Sequence, residues 1–320
     1  MQLRYLLLSA MAIYIFLWVS QLAGFRTSYH PKDTHFDFSS PLAAPLRDND
    51  KPTVLVLTLV RNHEGWGKNR SFLDFIQLVQ SLDYPPSNLH LGVLVSDPQE
   101  YDTLSKIVHQ WDSQPFFPKV RILLRGKDVG IAREDRKQDH VQRERRRLIA
   151  RLRNYLLYST LQDEEAVLWI DSDVTHIPSD VLGRMVDSGK DIITTAATYG
   201  PGGGFLDLNA WSGERIQPNE EQMKVVEAGG VFVPGPSRVQ FTHELSQEFG
   251  ELDSVGGMVL FVRAEVHREG VAFTTNYVIG TGWHHEGYDG IETEGLCYVA
   301  KFLGYKCWGM PHAIAVHSTD

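Results

Sequence analysis

The sequence contains very little cysteine and no excess of positive charge, and each shortage excludes a class of protein. Cys297 and Cys307 are the only cysteines among 320 residues, so no disulfide framework can hold the fold together. One bridge between them is possible, but two buried free thiols are the favoured interpretation. The formal net charge of −9 argues against a general nucleic-acid-binding protein, and we expect no nucleic-acid partner.

Charge is also absent from residues 5–25, where leucine, isoleucine, phenylalanine, valine and alanine dominate. A bilayer is crossed by about 20 apolar residues, and no small-residue cleavage site follows this stretch. We therefore predict a transmembrane signal anchor at 5–25, preceded by a short tail at 1–4 and followed by a stem at 26–50. Positive residues flank both ends of the span, so they barely decide its orientation.

From residue 51 onward, apolar runs typical of strands alternate with segments of helical periodicity. The predicted strands are 53–60, 89–95, 120–124, 167–170 and 192–197. The predicted helices are 72–82, 101–111, 133–161 and 179–187. This alternation predicts an α/β domain over 51–320, with a mainly parallel sheet and helices on both of its faces.

The most informative stretch is an apolar run that opens into two carboxylates, Asp171 and Asp173. A strand end is where an α/β sheet presents its ligands, and alternate residues of an extended chain share a face. Two oxygen ligands at one rim suit Mg²⁺ or Mn²⁺ bridged to a diphosphate. The alternative for an isolated Asp-x-Asp is a helix cap followed by a turn aspartate.

A second candidate is the basic stretch 143–147, on the helix predicted at 133–161. Arginine makes forked contacts with phosphate, so one or two of these side chains could hold a donor diphosphate. Taken alone, the stretch is more typical of a solvated helix face on which arginines pair with Glu144 and Asp139.

Glycine marks two further positions. The glycine-rich stretch 200–204 predicts a loop, and it leads to a strand-like run at 206–211 that contains Asp207. Gly256 and Gly257 precede another apolar run, where glycine lets a second backbone or a ligand come close. The alternatives are an ordinary turn aspartate at 207 and a plain tight turn at 256–257.

Acidic residues and a histidine near the C-terminus complete the candidates. Glu292 and Glu294 lie at the start of a helix predicted to continue to residue 303. The alternative to a functional role is that one of these acids only interacts favourably with the helix dipole. His317 follows an apolar stretch close to the end of the chain. A lone histidine is more often structural than a metal ligand.

Six motifs together resemble a known family. They are 141–146, 153–154, 167–173, 253–257, 264–268 and 291–295. Their order is that of the fungal Golgi mannosyltransferases of the mannan-polymerase complexes, glycosyltransferase family 62. The match covers roughly 53 to 317, and the opening stretch 57–62 looks closest to the Anp-type and Van-type branch.

The resemblance implies a GT-A glycosyltransferase fold and a single-pass, type II Golgi membrane protein with a lumenal catalytic domain. It implies GDP-mannose as donor, Mn²⁺ as cofactor and α-1,6 transfer to mannan chains of N-glycoproteins, alongside other mannan-polymerase subunits. The residues that it marks serve three roles. The implied metal ligands are Asp171, Asp173 and His317. Donor binding falls to Thr58, Arg145, Asp171 and Asp173, and catalysis to Asp207, Arg145 and Glu294.

An α-linked donor and an α-linked product mean retention of configuration, and front-face displacement is the favoured route. One alternative function is a largely non-catalytic subunit that binds GDP-mannose and scaffolds a partner. A second is a phosphatase of the haloacid-dehalogenase type, since 171–175 fits its Asp-x-Asp-x-Thr signature. That fold needs the signature on its first strand, whereas three strand–helix units precede it here.

Overall fold

The structure is a computed structural model that describes residues 34–39, 50–113, 116–126, 139–200, 203–204, 207–232, 238–240 and 246–318. The predicted tail, the predicted anchor, most of the predicted stem and part of the glycine-rich stretch 200–204 lie outside these ranges. Within the described ranges, no helix is both long enough and apolar enough to cross a membrane.

Twelve strands and seven α-helices are described. The strands are β1 (Thr34–Ser39), β2 (Val54–Val60), β3 (Leu89–Val95), β4 (Lys119–Leu124), β5 (Ala166–Ile170), β6 (Val174–His176), β7 (Ile192–Tyr199), β8 (Trp211–Gly213), β9 (Arg238–Gln240), β10 (Gly250–Leu252), β11 (Val259–Arg263) and β12 (Cys307–His317). The helices are α1 (Phe72–Gln80), α2 (Pro98–His109), α3 (Asp139–Thr160), α4 (Val181–Asp187), α5 (Glu220–Glu227), α6 (Ala264–Arg268) and α7 (Thr293–Phe302). Strand β1 lies within the segment predicted as a stem.

Ten of these strands form one sheet in the order β1-β4-β3-β2-β5-β11-β7-β12-β10, with β6 paired to β12. Strands β8 and β9 pair separately. The half formed by β2, β3, β4 and β5 is parallel, as predicted. In the other half β11 runs antiparallel to both β5 and β7, and only β7 and β12 are parallel. The sheet is therefore mixed, and the prediction of a mainly parallel sheet is wrong for this half.

The direction of β11 follows from where the chain re-enters the sheet. Gly256 and Gly257 turn the chain beside the end of β5, so that Val259 pairs with Ile170 and Arg263 with Ala166. Strand β11 therefore begins where β5 ends and runs back along it. The turn brings the Gly256–Gly257 backbone directly against the acidic motif that follows β5.

Both faces of the sheet are buried, which explains the nearly continuous apolar runs of the parallel strands. Along β2, Val54 and Val56 pack into one hydrophobic cluster, whereas Leu55 and Leu57 pack into a second. Helices α1 and α2 contribute to the first cluster, and α3 and α7 contribute to the second. Helices on both faces were predicted, and the prediction is confirmed.

Local signals position two of the helices. Helix α1 begins after Ser71, whose backbone N–H and hydroxyl each lie 2.8 Å from Oδ2 of Asp74. Helix α2 begins after Asp97, whose carboxylate accepts the backbone N–H of Glu100 at 2.9 Å. Both contacts satisfy N–H groups that a helix start leaves without an intrahelical partner.

The two cysteines are not free thiols. Cys297 on α7 and Cys307 at the start of β12 form a disulfide, with their Cα atoms 6.1 Å apart. The chain turns back after α7 to enter the sheet, which brings the two residues together across a separation of ten positions. The favoured interpretation of two free thiols is therefore wrong, and the bridge ties α7 to the sheet.

Candidate active site

The acidic motif lies immediately after β5, and its backbone is anchored on both sides. The N–H of Asp171 donates to the carbonyl oxygen of Met258 at 2.9 Å. The hydroxyl of Ser172 donates to the carbonyl oxygen of Gly65 at 2.6 Å. With the backbone fixed in this way, Asp171 and Asp173 both face one cavity.

The cavity has a volume of about 490 Å³ and collects most of the predicted site residues. Those that line it are Arg145, Asp171, Asp173, Asp207 and His317. Thr58 and Glu294 are buried and do not belong to its lining. Glu292, which was not assigned a role from the sequence, does line the cavity.

Arg153 is the buried cation beneath the acidic motif. Its Nη2 lies 3.0 Å from Oδ1 of Asp171 and 3.1 Å from the carbonyl oxygen of Gly257, and its Nε lies 3.4 Å from Oε1 of Glu292. The side chain is only 4% exposed, so its charge is shielded from solvent. It therefore holds two carboxylates and the glycine turn in fixed positions.

Desolvation shifts the protonation of Asp171. This half-buried carboxyl has a pKa raised to about 7, chiefly because the surrounding protein desolvates it. The positive charge of Arg153 opposes this rise, while the negative charge of Asp173 adds to it. A cation bound by Asp171 would therefore compete with a proton near neutral pH.

His317 lies beside the second carboxylate. Its Nε2 is 2.8 Å from Oδ2 of Asp173, and its Nδ1 is 2.7 Å from the carbonyl oxygen of Ser318. Burial opposes the charged imidazole, but the hydrogen bond and negative charge of Asp173, together with the Ser318 carbonyl and the charge of Asp171, outweigh burial and raise the pKa of His317 to about 9. The end of β12 pairs with β6, directly after the acidic motif, which brings His317 into the site.

The donor chemistry of this site suits a divalent ion. Within the described part of the chain, no three acidic, histidine or cysteine side chains are already grouped to hold a metal. Asp171 is bonded to Arg153, and Asp173 is bonded to His317. Two carboxylates and an imidazole are nevertheless donors that Mn²⁺ accepts, and an ion could replace the contact between His317 and Asp173.

Asp207 is held by backbone N–H groups. Its Oδ1 accepts from the N–H of Asn209 at 3.1 Å, and its Oδ2 accepts from the N–H of Gly257 at 2.9 Å. Burial raises the pKa of Asp207, and these hydrogen bonds oppose the rise. The described part of the run 206–211 is a turn that leads into β8, so the strand-like interpretation of that part is wrong.

The glycine pair makes this approach possible. A Cβ atom at Gly257 would lie 2.8 Å from Nη2 of Arg153, and one at Gly256 would collide with the Asp207 carboxylate. The sequence predicted that a second backbone or a ligand comes close to these glycines. The groups that come close are instead two charged side chains of the site, those of Arg153 and Asp207.

Glu294 has a structural environment. Its carboxylate receives Arg146 Nη1 at 3.1 Å and is also bonded by Arg215, which lies 3.2 Å from Asp289. The carboxylate is almost fully buried within this cluster. The structure thus gives Glu294 two arginine partners beside the cavity rather than a place on its wall.

Glu292 is the acid that reaches the cavity, and its backbone is strained. It has φ 61° and ψ −123°, a conformation that disfavours any residue with a Cβ. Burial raises the pKa of Glu292, and Arg153, Arg146 and Arg145 oppose the rise. Strain of this kind persists where the surrounding structure enforces it, often at a functional site.

The basic stretch of α3 is divided among different tasks. Arg145 lines the cavity, Arg146 pairs with Glu294, and Arg147 bonds Glu144 and Glu286. The solvated-face interpretation is therefore right for the pair of Arg147 with Glu144 and wrong for Arg146.

Sequence reasoning assigned no role to Arg153 or Glu292. One signal was available for Arg153, because it is a charged residue at helical spacing from the apolar residues Ala150, Leu156 and Leu157. Nothing in the spacing distinguishes Glu292 from Glu294, since only the backbone conformation directs one of them to the cavity.

Comparison with known proteins decides the family. A family model described as Anp1 matches residues 34–277. The chain belongs to the Anp1 family. It is 26% identical over 297 residues to the mannan polymerase complex subunit mnn9 of Schizosaccharomyces pombe, with 86% of this chain and 82% of the relative covered.

The MNN9 subunit of the mannan polymerase complex of Candida albicans is 25% identical, with 90% of this chain and 80% of that relative covered. The resemblance to the fungal mannan-polymerase family is thereby confirmed. The relatives include Mnn9, Anp1 and Van1 subunits, so the comparison shows the family rather than a branch within it.

Among solved structures, the mannosyltransferase PcManGT from Pyrobaculum calidifontis, in complex with GDP-Man and Mn²⁺, is similar at 13% identity and a TM-score of 0.48. The match covers 83% of this chain, which spans 57% of that chain. This likeness is too partial to assign GDP-Man or Mn²⁺ to the present protein.

Proposed function

We propose that this Anp1-family protein is a mannosyltransferase of GT-A fold that moves mannose from GDP-mannose to mannan chains on N-glycoproteins, in α-1,6 linkage. The observation that carries the proposal is the gathering of Asp171, Asp173, His317 and Arg145 around one cavity. This combination of acids, imidazole and guanidinium suits a metal-bound nucleoside diphosphate. The relatives named as mannan polymerase subunits support mannan as the acceptor.

Asp171, Asp173 and His317 would hold Mn²⁺. When bound, this ion supplies the positive charge that a departing nucleoside diphosphate needs. The proposed ligands are already close together, because Nε2 of His317 lies 2.8 Å from Asp173 at the end of β12, which is paired with β6. His317 must give up its proton before its imidazole can act as a ligand.

Arg145 adds a fixed positive charge at the same cavity, since a guanidinium stays protonated at any working pH. We propose that it contacts the donor diphosphate and stabilises the charge that develops there. Thr58 is buried behind this wall, and its hydroxyl has no hydrogen-bond partner among the described residues. Its role in donor binding is indirect, through the position of the neighbouring β2 residues that do line the cavity.

Retention of configuration follows from an α-linked donor and product. Both carboxylate oxygens of Asp207 accept backbone N–H groups, which lowers its reactivity as a nucleophile. This supports front-face displacement, with Asp207 and Glu292 as acids that position the acceptor and stabilise an oxocarbenium-like state. Glu292 replaces Glu294 as the proposed acid, because Glu292 lines the cavity.

The remaining parts of the proposal concern the cell. We propose that residues 5–25 anchor the chain in the Golgi membrane as a type II protein, with a cytosolic tail at 1–4 and a lumenal stem at 26–50. The catalytic domain is lumenal and assembles with other mannan-polymerase subunits. Protease protection in sealed microsomes tests this topology, since digestion of the domain from outside would reverse it.

A transfer assay tests the activity. The full chain is incubated with labelled GDP-mannose, Mn²⁺ and a linear mannan oligosaccharide, with and without its co-purified partner subunits. Labelled mannose should move to the acceptor in α-1,6 linkage. GDP-mannose binding without transfer under both conditions would instead support a scaffold subunit, a role consistent with relatives named as complex subunits. The phosphatase alternative has no support, because the motif follows the fifth strand and the family is Anp1.

A further inference from the structure

Trp283 is the most exposed large apolar side chain among the described residues, at 99% of its maximal accessible surface. Exposed single apolar side chains are common, but a fully exposed tryptophan is costly, since its ring presents a large apolar area to water. Tryptophan is also the residue type most enriched at binding hot spots. The residues around Trp283 therefore indicate whether it belongs to a binding site and for which kind of ligand.

The loop that carries Trp283 is rigidly built. Gly282 N–H donates to the carbonyl oxygen of His285 at 3.1 Å, which leaves Trp283 and His284 at the tip of a narrow turn. Below the tip, Thr281 Oγ1 accepts the N–H of Gly287 at 2.8 Å. The indole therefore lies on a turn that is held by hydrogen bonds.

Helix α3 fixes the loop from one side. Arg147 Nη2 lies 2.5 Å from Oε2 of Glu286, and its Nε donates to the carbonyl oxygen of Thr275 at 3.1 Å. The loop's base continues to the cavity, because Thr274 forms a bridge with Glu292. The segment that carries Trp283 is thus linked by contacts to α3 and to Glu292 of the candidate active site.

Beside Trp283 is an open groove of about 630 Å³. Apart from the indole, it is lined mainly by polar and charged groups, among them Arg151, Asn276, His284 and Glu286. These side chains offer both donors and acceptors of hydrogen bonds. One flat apolar ring among such groups matches a pyranose, which has an apolar C–H face and a rim of hydroxyls.

The groove and the active-site cavity lie on adjoining sides of α3. Arg147 and Arg151 line the groove, whereas the next residue in each case, Leu148 and Leu152, lines the cavity. A helix with its side chains is about 10–12 Å wide, so an extended chain of several sugars can reach from one to the other. A single sugar cannot.

We propose that the Trp283 groove is a distal acceptor subsite that binds a hexopyranose unit of the mannan chain, several units from the one being extended. This inference rests on the proposed function and adds its acceptor-length dependence. The indole stacks on the sugar's C–H face, while Arg151, Asn276 and His284 bond its hydroxyls.

The alternatives are a partner subunit and the membrane surface. A protein hot spot requires an apolar centre around the anchor, and the groove offers the indole alone. Membrane contact favours several neighbouring apolar side chains with basic residues. The groove holds the basic Arg147 and Arg151 but no large apolar side chain besides the indole, and with Glu286 and Asn276 it fits a glycan better than either alternative.

The test compares Trp283→Ala, Trp283→Tyr and the control Phe302→Ala, which removes another exposed aromatic ring, 87% exposed on α7. Binding of a long linear α-1,6-linked mannan oligosaccharide and of methyl α-mannoside is measured on the full chain by ligand-observed NMR. GDP binding and transfer are measured in parallel. Trp283→Ala should weaken oligosaccharide binding at least about tenfold, whereas Trp283→Tyr and Phe302→Ala should stay close to wild type. GDP binding should not change, whereas any response to methyl α-mannoside should weaken in Trp283→Ala alone, since a single mannose unit fits the same subsite.

Equal oligosaccharide binding by Trp283→Ala and wild type would overturn the subsite, whether or not transfer is observed. Loss of partner association or of vesicle binding, with oligosaccharide binding intact, would overturn it in favour of an assembly or membrane surface. If wild type transfers no mannose and Trp283→Ala still loses oligosaccharide binding, the subsite stands and the proposed function fails.

Discussion

A Cβ atom at Gly256 would lie 2.0 Å from Oδ2 of Asp207, closer than real Cβ atoms approach any neighbour. The same carboxylate oxygen accepts the N–H of Gly257 at 2.9 Å. The missing side chain at 256 therefore makes room for an acid of the active site. An alanine there must displace the acid, the turn or both.

We accordingly expect Gly256→Ala to reduce mannose transfer by about 10²-fold, the usual cost of misplacing an active-site group by about 1 Å. Steady-state transfer kinetics and thermal unfolding of the same preparations measure it. Gly183→Ala is the matched control, since Gly183 lies inside α4 with no neighbouring atom within 4 Å of its added Cβ. Full activity of Gly256→Ala would show that the position of Asp207 is unimportant.

The two acids at the start of α7 should separate by their effects. Glu292→Gln should lower transfer by roughly 10²–10³-fold with little change in stability, as expected for a charge that acts in the transition state. Glu294→Gln should instead lower the unfolding free energy by about 3 kcal/mol, because it leaves the partly buried Arg146 and Arg215 with a weaker partner inside the domain. Parallel denaturation and kinetic measurements distinguish them, and the reverse pattern would restore Glu294 as the cavity acid.

The parts of this site that depend on a local pattern of residues could be predicted from the sequence. A buried strand that ends in Asp171 and Asp173, and glycines where a neighbour approaches, are visible as periodicity and residue type. The direction of β11 is not, because it depends on where the chain re-enters the sheet beside β5. The bridge between Cys297 and Cys307 depends on the turn that leads from α7 into β12, so residue type and spacing alone could not predict it.

Electrostatic partners were the least predictable feature. Arg153 lies on a largely apolar face of α3, yet its two carboxylates come from other segments, Asp171 after β5 and Glu292 before α7. Glu292 and Glu294 differ in role through a single positive φ at Glu292, which no periodicity reveals.

Stability should depend on pH through His267. Burial lowers the pKa of this histidine to about 4, and its Nδ1 lies 2.7 Å from the carbonyl oxygen of Val271. In the unfolded chain the pKa is about 6.5. Between pH 4 and 6.5 the folded state therefore binds fewer protons than the unfolded state. The contribution of neutral His267 to the unfolding free energy is complete above pH 6.5 and is lost as pH falls toward 4. The loss amounts to roughly 3 kcal/mol.

Urea unfolding of wild type and His267→Gln across pH 4–7 measures this contribution. The difference in unfolding free energy between the two should shrink as pH falls. His312→Gln, at an exposed histidine of β12, controls for the removal of an imidazole. A difference that stays constant over this range would mean that His267 titrates alike in the folded and unfolded states.

His317 requires a point substitution rather than a truncation. Ala315, Val316 and His317 pair with β7, so removal of the chain after Ile314 would also shorten β12. His317→Ala removes the proposed ligand and leaves the strand intact. His312→Ala on the same strand serves as its control.

The most direct measurement is calorimetric titration of Mn²⁺ into the full chain with GDP present, for wild type, Asp173→Ala, His317→Ala and His312→Ala. Mn²⁺-dependent GDP binding should be lost in Asp173→Ala, weaken at least about tenfold in His317→Ala and persist in His312→Ala. Wild-type affinity should rise with pH through 7 toward 9, since Asp171 with a pKa of about 7 and His317 with a pKa of about 9 must release protons. Equal Mn²⁺ affinities for wild type, Asp173→Ala and His317→Ala would contradict a metal-dependent donor site at the end of β5.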